Sequence, residues 1–367
     1  MKLDIVIFGL SITSSWGNGH ATTYRGLVKA LAERGHSVTF LERDVPWYAD
    51  HRDLPSPPYC DTQLYSSLKE VPQRFGQAVA DADLVIIGSY VPTGAVLGDW
   101  LTSHARGITA FYDIDTPVTL AKLESGDTDY ITPALIPRFD LYLSFTGGPV
   151  LKTIEEQYGS RHAVPLYCAV DPAIHAPADV AVDAALGYLG TYSPDRQPSV
   201  ERMLIEPARA APESRFLVAG AQYPGDVIWP GNVEYIEHLP PSEHPAFYCR
   251  QRYTLNVTRA DMIAVGYSPS VRLFEAAACG VPIISDNWSG LDTLFTPGKD
   301  IFTAAGTNDI VEILNEVPEE RRKAIAAAAR RCVLQNHTAQ HRAQQLETYY
   351  REAVTARRPR RPVEAVA

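Results

Sequence analysis

Gly266-Tyr267-Ser268-Pro269-Ser270-Val271-Arg272-Leu273-Phe274-Glu275-Ala276-Ala277-Ala278-Cys279-Gly280-Val281-Pro282-Ile283-Ile284-Ser285-Asp286 is the stretch on which the fold turns. It reads as a loop, a short capped helix, a glycine stop and a buried strand. Ser268 is read as the N-cap, and Pro269 suits the first helical position, where its missing N–H costs nothing. Gly280 is placed to end the helix in a left-handed turn. Arg272 and Glu275 lie three apart, so they share one helix face. A helix N-terminus attracts phosphate through its free N–H groups and dipole. With a guanidinium for a diphosphate and a carboxylate for sugar hydroxyls, the segment has the makings of a nucleotide-sugar grip.

Outward from this stretch, strands recur at Leu186–Leu189, Phe216–Val218, Val233–Ile236, Tyr253–Val257 and Val281–Ser285. An earlier series begins with Leu3–Phe8, an apolar run broken only by Asp4 and of the kind covered on both faces. A helical pattern from Thr22 to Arg34, a stop at Gly35 and a strand over Ser37–Leu41 complete a βαβ unit, which implies a parallel sheet with a right-handed crossover. Leu84–Ile87, Ile108–Tyr112 and Leu141–Phe145 extend that series. Between the two lies the proline-rich Asp171-Pro172-Ala173-Ile174-His175-Ala176-Pro177. The expected fold is α/β: two facing Rossmann-like, doubly wound parallel-sheet domains, over 1–170 and 184–338, with a deep inter-domain cleft. A helix over 339–356 is expected to cross back onto the first domain. The basic tail of 357–367 reads as a disordered end, or as a weak contact with an anionic membrane surface. Ligands of open α/β sheets bind at strand C-terminal ends, so the chemistry belongs where the two sets of ends meet.

Bulk properties narrow the class. A chain of 367 residues, 46% hydrophobic and 21% charged, is long enough for two packed cores. A net charge of −10 argues against nucleic acid as a partner. Cys60, Cys168, Cys249, Cys279 and Cys332 show neither disulfide nor zinc spacing, which suits a reducing cytoplasm; Cys279 falls in the apolar half of its helix and reads as core. The start carries Asp4 and does not read as a signal peptide, and no run of about 18 apolar residues occurs.

Four further stations carry candidate chemistry. The loop Ser14-Ser15-Trp16-Gly17-Asn18-Gly19-His20 has bendable glycines but lacks the Lys-Ser/Thr pair of a P-loop. His20 is a candidate base for an acceptor hydroxyl or merely a loop-capping residue, with Trp16 and Gly19 beside it on the acceptor side. Asp113 and Asp115 stand at alternate positions at a strand end, open to readings as acceptor contact, acid/base pair, metal ligands or structural turn; the fold pattern disfavours metal. In Tyr188-Leu189-Gly190-Thr191-Tyr192-Ser193-Pro194-Asp195-Arg196, Gly190 and Thr191 offer donors to a diphosphate and Arg196 a bidentate partner. Arg259, in Asn256-Val257-Thr258-Arg259-Ala260-Asp261, either adds charge to the cleft or pairs with Asp261, and His238 lies where a base-binding loop would fall or is a surface histidine.

The segments Gly19-His20, Tyr188-Leu189-Gly190-Thr191-Tyr192, Ser268–Ala276, Gly280–Asp286 and Leu294-Phe295-Thr296-Pro297-Gly298-Lys299-Asp300 together resemble GT-B-fold glycosyltransferases, nearest the bacterial spore-maturation CgeB-like group. The resemblance is strong over about 184–305. It implies metal-independent sugar transfer from a nucleoside-diphosphate sugar, by default a UDP-sugar, to an acceptor hydroxyl, with no other cofactor. By resemblance Glu275 holds the donor ribose, and Ser270 and Arg272 the diphosphate. Many retaining members pair that glutamate with another eight positions earlier; here the position is Tyr267, so the carboxylate near the sugar ring is absent. If the enzyme inverts, His20 or Asp115 is the expected base. The competing readings are a nucleotide-sugar epimerase of the same fold, which wants carboxylates near the anomeric carbon, and a non-catalytic sugar- or surface-binding protein, against which the joint presence of Gly190, Arg272 and Glu275 speaks.

Overall fold

A computed structural model gives the structure of residues 1–17 and 19–357; the tail expected to be disordered lies, apart from Arg357, outside the described residues. The chain forms two all-parallel sheets. The first holds β1 Asp4–Gly9, β2 Ser37–Arg43, β3 Asp61–Tyr65, β4 Leu84–Gly88, β5 Ile108–Asp113, β6 Leu141–Ser144 and β7 Ala163–Pro165, in the order β3-β2-β1-β4-β5-β6-β7. The second holds β8 Ala184–Leu189, β9 Phe216–Ala219, β10 Val233–Ile236, β11 Gln251–Asn256, β12 Ile283–Ser285 and β13 Phe302–Thr303, in the order β10-β9-β8-β11-β12-β13.

The first strand of each series sits inside its sheet, flanked on both sides, which is why its sequence is a near-continuous apolar run. Ile5 of β1 pairs in register with Val38 on one side and Leu84 on the other. Burying such a side chain contributes roughly 1.5–3 kcal/mol, so these central strands carry much of the core energy. Three strands escape the sequence pattern: Asp61–Tyr65, Ala163–Pro165 and Phe302–Thr303. All are at sheet edges. An edge strand has only one neighbour and is often short and polar, so its apolar signal is weak.

The final helix, Ala339–Ala356, lies against the first domain. Arg34 grips Glu347 through Nε at 2.6 Å and Nη2 at 2.8 Å. His36 accepts the Leu3 amide at Nδ1, 3.1 Å away, which leaves Nε2–H to donate to Glu347 at 2.9 Å. Arg342, 2% exposed, donates to the Tyr167 carbonyl at 3.0 Å. The helix thus ties the segment after the second domain back to the first. Among the described residues no helix is long and apolar enough to cross a membrane.

Candidate active site

The helix Val271–Ala278 begins two residues later than the sequence suggests: its N-cap is Ser270, whose Oγ accepts the Arg272 amide at 3.3 Å. Ser268 is not the cap because it faces the first domain, where Thr146 Oγ1 donates to it at 3.0 Å. The Pro269 carbonyl likewise accepts the Cys168 thiol at 3.4 Å. Tertiary contacts between domains therefore take the residues that local propensity assigns to the helix start. Gly280 does adopt the left-handed stop, at φ +75°, and Cys279 is buried.

A cleft opens at this helix start. Its first-domain wall is the β1–helix loop, through Ser15, Gly17, Gly19 and Thr22. Its second-domain wall combines strand ends and the helix, including Gly190, Thr191, Gly220, His238, Arg272 and Glu275. The glycines are required by close approach: a Cβ on Gly220 would stand 2.0 Å from the Gly190 carbonyl oxygen, and one on Gly190 would stand 2.7 Å from Arg272 Nη2. Bare backbone is thereby presented beside the guanidinium, as an anionic ligand needs.

Arg272, 6% exposed, is locked in place. Nε donates to the Leu189 carbonyl, Nη1 to Asn256 Oδ1 at 2.9 Å, and the guanidinium stacks 4.8 Å from the Tyr188 ring centre. Glu275, 3% exposed, accepts the Tyr248 hydroxyl at 2.9 Å. Burial opposes its ionisation, but the His175 and His244 imidazoles and the Tyr248 hydroxyl outweigh burial and hold the carboxyl at about 2. The sequence offered no signal for His175, His244 or Tyr248, which converge on Glu275 from the inter-domain linker and the helix His244–Cys249.

The other arginines expected at the donor are engaged elsewhere. Arg196 Nη2 donates to the Thr191 carbonyl at 3.0 Å, bracing that loop and not lining the cleft. Arg259 makes no ion pair with Asp261 among the described residues; it bridges the domains to Asp115 at 3.3 Å and also contacts Asp195 at 3.5 Å. Ser270 acts as the helix cap and is not part of the cleft lining.

On the first-domain side, Asp113 is turned away from the cleft, contrary to the acceptor role expected for it. It is fully buried and accepts Tyr142 Oη at 2.5 Å, Thr119 Oγ1 at 2.7 Å and the Asp115 amide at 3.3 Å. Its strand ends at Asp113, so Asp115 escapes the strand alternation that would have aligned the two carboxylates. Asp115 accepts the Tyr90 hydroxyl at 3.1 Å, and burial, partly offset by Arg259, raises its carboxyl above the ordinary range. Tyr90 links it to His20, whose ring meets the tyrosine edge-on at 5.5 Å between centres. Tyr90 holds a left-handed φ of +62°, a strained backbone of the sort found at functional sites. Burial lowers His20 to about 4, and its Nδ1 has no hydrogen-bond partner among the described residues. A neutral imidazole whose buried nitrogen lacks a partner can accept a proton. Trp16 is 38% exposed and stacks on His51 at 4.6 Å, outside the cleft lining.

The loop that leads into His20 hangs on Glu42, a residue with no motif around it. Its buried carboxylate accepts the Ile12 and Thr13 amides at 2.7 and 3.0 Å and the Thr13 and Ser11 hydroxyls at 2.7 and 3.2 Å.

Tyr267, which stands where a glutamate was anticipated by resemblance, is a clasp between domains. Its ring fits between Gly148 and Gly290: a Cβ on either glycine would come within 2.4 Å of it. Its carbonyl accepts the Gly147 amide at 2.9 Å, and its own φ is +51°.

Residues 196–348 match the family described as Glycosyl transferase-like. Over nearly the whole chain the structure superposes on solved structures of two-domain enzymes. The chain has the GT-B fold of glycosyltransferases. Sucrose-phosphate synthase from Thermosynechococcus elongatus aligns with a TM-score of 0.67 at 15% identity, covering 96% of this chain and 100% of that one. HepE of Anabaena, solved with UDP-glucose, aligns with a TM-score of 0.70 at 14% identity, covering 97% and 100%. An α-glucosyltransferase solved with UDP-glucose and DNA aligns with a TM-score of 0.68 at 12% identity, covering 96% and 100%. No curated protein matches in sequence. The GT-B architecture agrees with the two facing parallel-sheet domains expected from the sequence, and the family match covers the segment 266–286 from which that expectation grew.

Proposed function

We propose that the protein transfers a sugar from a nucleoside diphosphate, a UDP-sugar by default, to an acceptor hydroxyl, using no cofactor besides the donor. The observation that carries this is the convergence of the Gly190–Thr191 backbone, Arg272, Glu275 and a capped helix N-terminus on one wall of a cleft whose other wall is the His20 loop. That HepE and the α-glucosyltransferase were solved with UDP-glucose supports the choice of donor.

In this reading Glu275, ionised at physiological pH, accepts the ribose hydroxyls. The helix start and Arg272 Nη2 stabilise charge on the departing diphosphate. His20 takes the acceptor proton, with Tyr90 and Asp115 behind it. Domain closure about the linker excludes water. The finer kinship to CgeB-like proteins rests on the motif resemblance of the second domain, and a cytoplasmic location on the unpaired cysteines. A thermal-shift panel of UDP, GDP, dTDP and CDP tests the donor site: one nucleotide should stabilise the protein, and no response to any of them would refute the proposal.

A further inference from the structure

Three side chains from three separate elements meet at the donor end of the cleft. His175 comes from the linker after the first sheet, His244 opens the helix His244–Cys249, and Glu275 lies in the helix Val271–Ala278. His175 Nε2 stands 3.4 Å from Glu275 Oε1, and His244 Nδ1 stands 3.7 Å from Glu275 Oε2. One ligand atom from each of the three lies within 4.8 Å of the other two. His175 is 2% exposed and Glu275 3%.

The nitrogens are short of partners. Neither His175 Nδ1 nor Nε2 makes a hydrogen bond among the described residues, and neither does His244 Nδ1. The remaining nitrogen of His244, Nε2, lies 3.3 Å from the Leu239 carbonyl. A carbonyl can only accept, so this contact places a proton on Nε2 and leaves Nδ1 as the nitrogen that meets the carboxylate. A buried carboxylate flanked by imidazole nitrogens that lack hydrogen bonds is compensated when a cation stands between them.

We propose that His175, His244 and Glu275 form a binding site for a divalent transition cation of the zinc type, and that its occupation excludes the donor nucleotide. The ligand set of two imidazoles and one carboxylate is one that zinc takes, with bonds of about 2.0–2.2 Å and ligand atoms about 3.3 Å apart in a tetrahedron. The two nitrogen–oxygen separations are near that spacing already, and the histidine nitrogens, within 4.8 Å of each other, draw together on binding. Outer contacts are also in place: the Leu239 carbonyl orients His244, and the Tyr248 hydroxyl holds Glu275 Oε2. The fourth position opens to the cleft, which His244, Tyr248 and Glu275 line. Exclusion of the nucleotide follows because the carboxylate cannot serve both a cation and the ribose; this second half rests on the donor assignment above.

The test uses the full chain freed of metal by chelator. Zinc chloride is titrated calorimetrically in a non-coordinating buffer, and cobalt(II) is followed by its visible absorption. One equivalent of zinc should bind, and cobalt should give the intense bands of a four-coordinate nitrogen–oxygen site. His244→Gln, at a partly exposed position, should lose more than the roughly 10–100-fold that altering an outer-shell partner costs. His175→Phe, which restores packing without a ligand, should lose cobalt absorption while keeping the circular dichroism of the native chain. No zinc binding, or unchanged affinity in both variants, overturns the site. UDP is titrated separately in chelator and with saturating zinc: binding only in chelator supports exclusion. UDP binding unaffected by bound zinc overturns exclusion and leaves the donor reading standing, whereas zinc binding with no UDP binding in chelator refutes the donor reading and leaves the metal site standing.

Discussion

Glu42→Ala should loosen the cleft's first wall while touching no ligand. The carboxylate collects four hydrogen bonds, from the Ile12 and Thr13 amides and the Ser11 and Thr13 hydroxyls. The hydroxyls have other contacts: Ser11 Oγ lies 3.0 Å from the Ser14 carbonyl, and Thr13 Oγ1 accepts from Arg52 Nε at 3.2 Å. The two amides are left with nothing in a fully buried site. At roughly 1–3 kcal/mol for each stranded buried donor, the alanine variant loses about 2–6 kcal/mol. Glutamine at the same place keeps an oxygen for both amides and offers its NH2 group to hydroxyls that rotate to accept, so it costs about 1 kcal/mol. Chemical denaturation of wild type, Glu42→Gln and Glu42→Ala measures the difference, and acceptor KM should rise in the alanine variant because the His20 loop loses its anchor. An alanine variant within about 1 kcal/mol of wild type, or a glutamine variant as damaged as alanine, would refute the reasoning.

Glu275→Ala should weaken nucleotide binding about 10–100-fold, the worth of hydrogen bonds to a charged group, and calorimetry with UDP would detect it; unchanged affinity counts against the ribose contact. Burial lowers His20 to about 4, so the wild-type rate profile should show no His20 limb near pH 6.5, activity falling only as pH drops toward 4; His20→Ala should abolish transfer with donor binding intact, and full activity in this variant contradicts the assignment. Arg259→Ala removes the charge that restrains Asp115, whose carboxyl burial already raises. A raised carboxyl favours folding below its unfolded pKa and loses that contribution as pH rises through the folded value. The variant should therefore be destabilised at pH 7 and recover toward wild type on acidification, and a deficit independent of pH would argue otherwise. Gly148→Ala drives a methyl to 2.4 Å from the Tyr267 ring and should spring the inter-domain clasp, measured as a lower melting temperature and a faster ratio of donor hydrolysis to transfer; wild-type values of both would disprove the clasp.

Sequence alone determined the layered plan. Apolar runs at Ile5–Phe8 and Val281–Ile284, glycine stops at Gly35 and Gly280, and the proline-rich linker follow from local physics, because central parallel strands must be apolar on both faces and left-handed stops favour glycine. It also placed Gly190, Thr191, Arg272 and Glu275, whose common position at strand ends and one helix face is a matter of periodicity. Only tertiary structure decided what each charge meets. Asp113 turned inward to the buried hydroxyls of Thr119 and Tyr142, and Arg259 found Asp115 across the domain gap, a partner 144 residues away. Ser268 lost the helix cap to Ser270 for the same reason: a contact with the other domain outweighed a local preference. Glu42, His175, His244 and Tyr248 carry no spacing signal, since their roles depend on distances between elements far apart in the chain. The stretch 266–286 thus specifies a helix start and a strand by itself, while the company that helix keeps across the cleft is fixed by the packing of two domains.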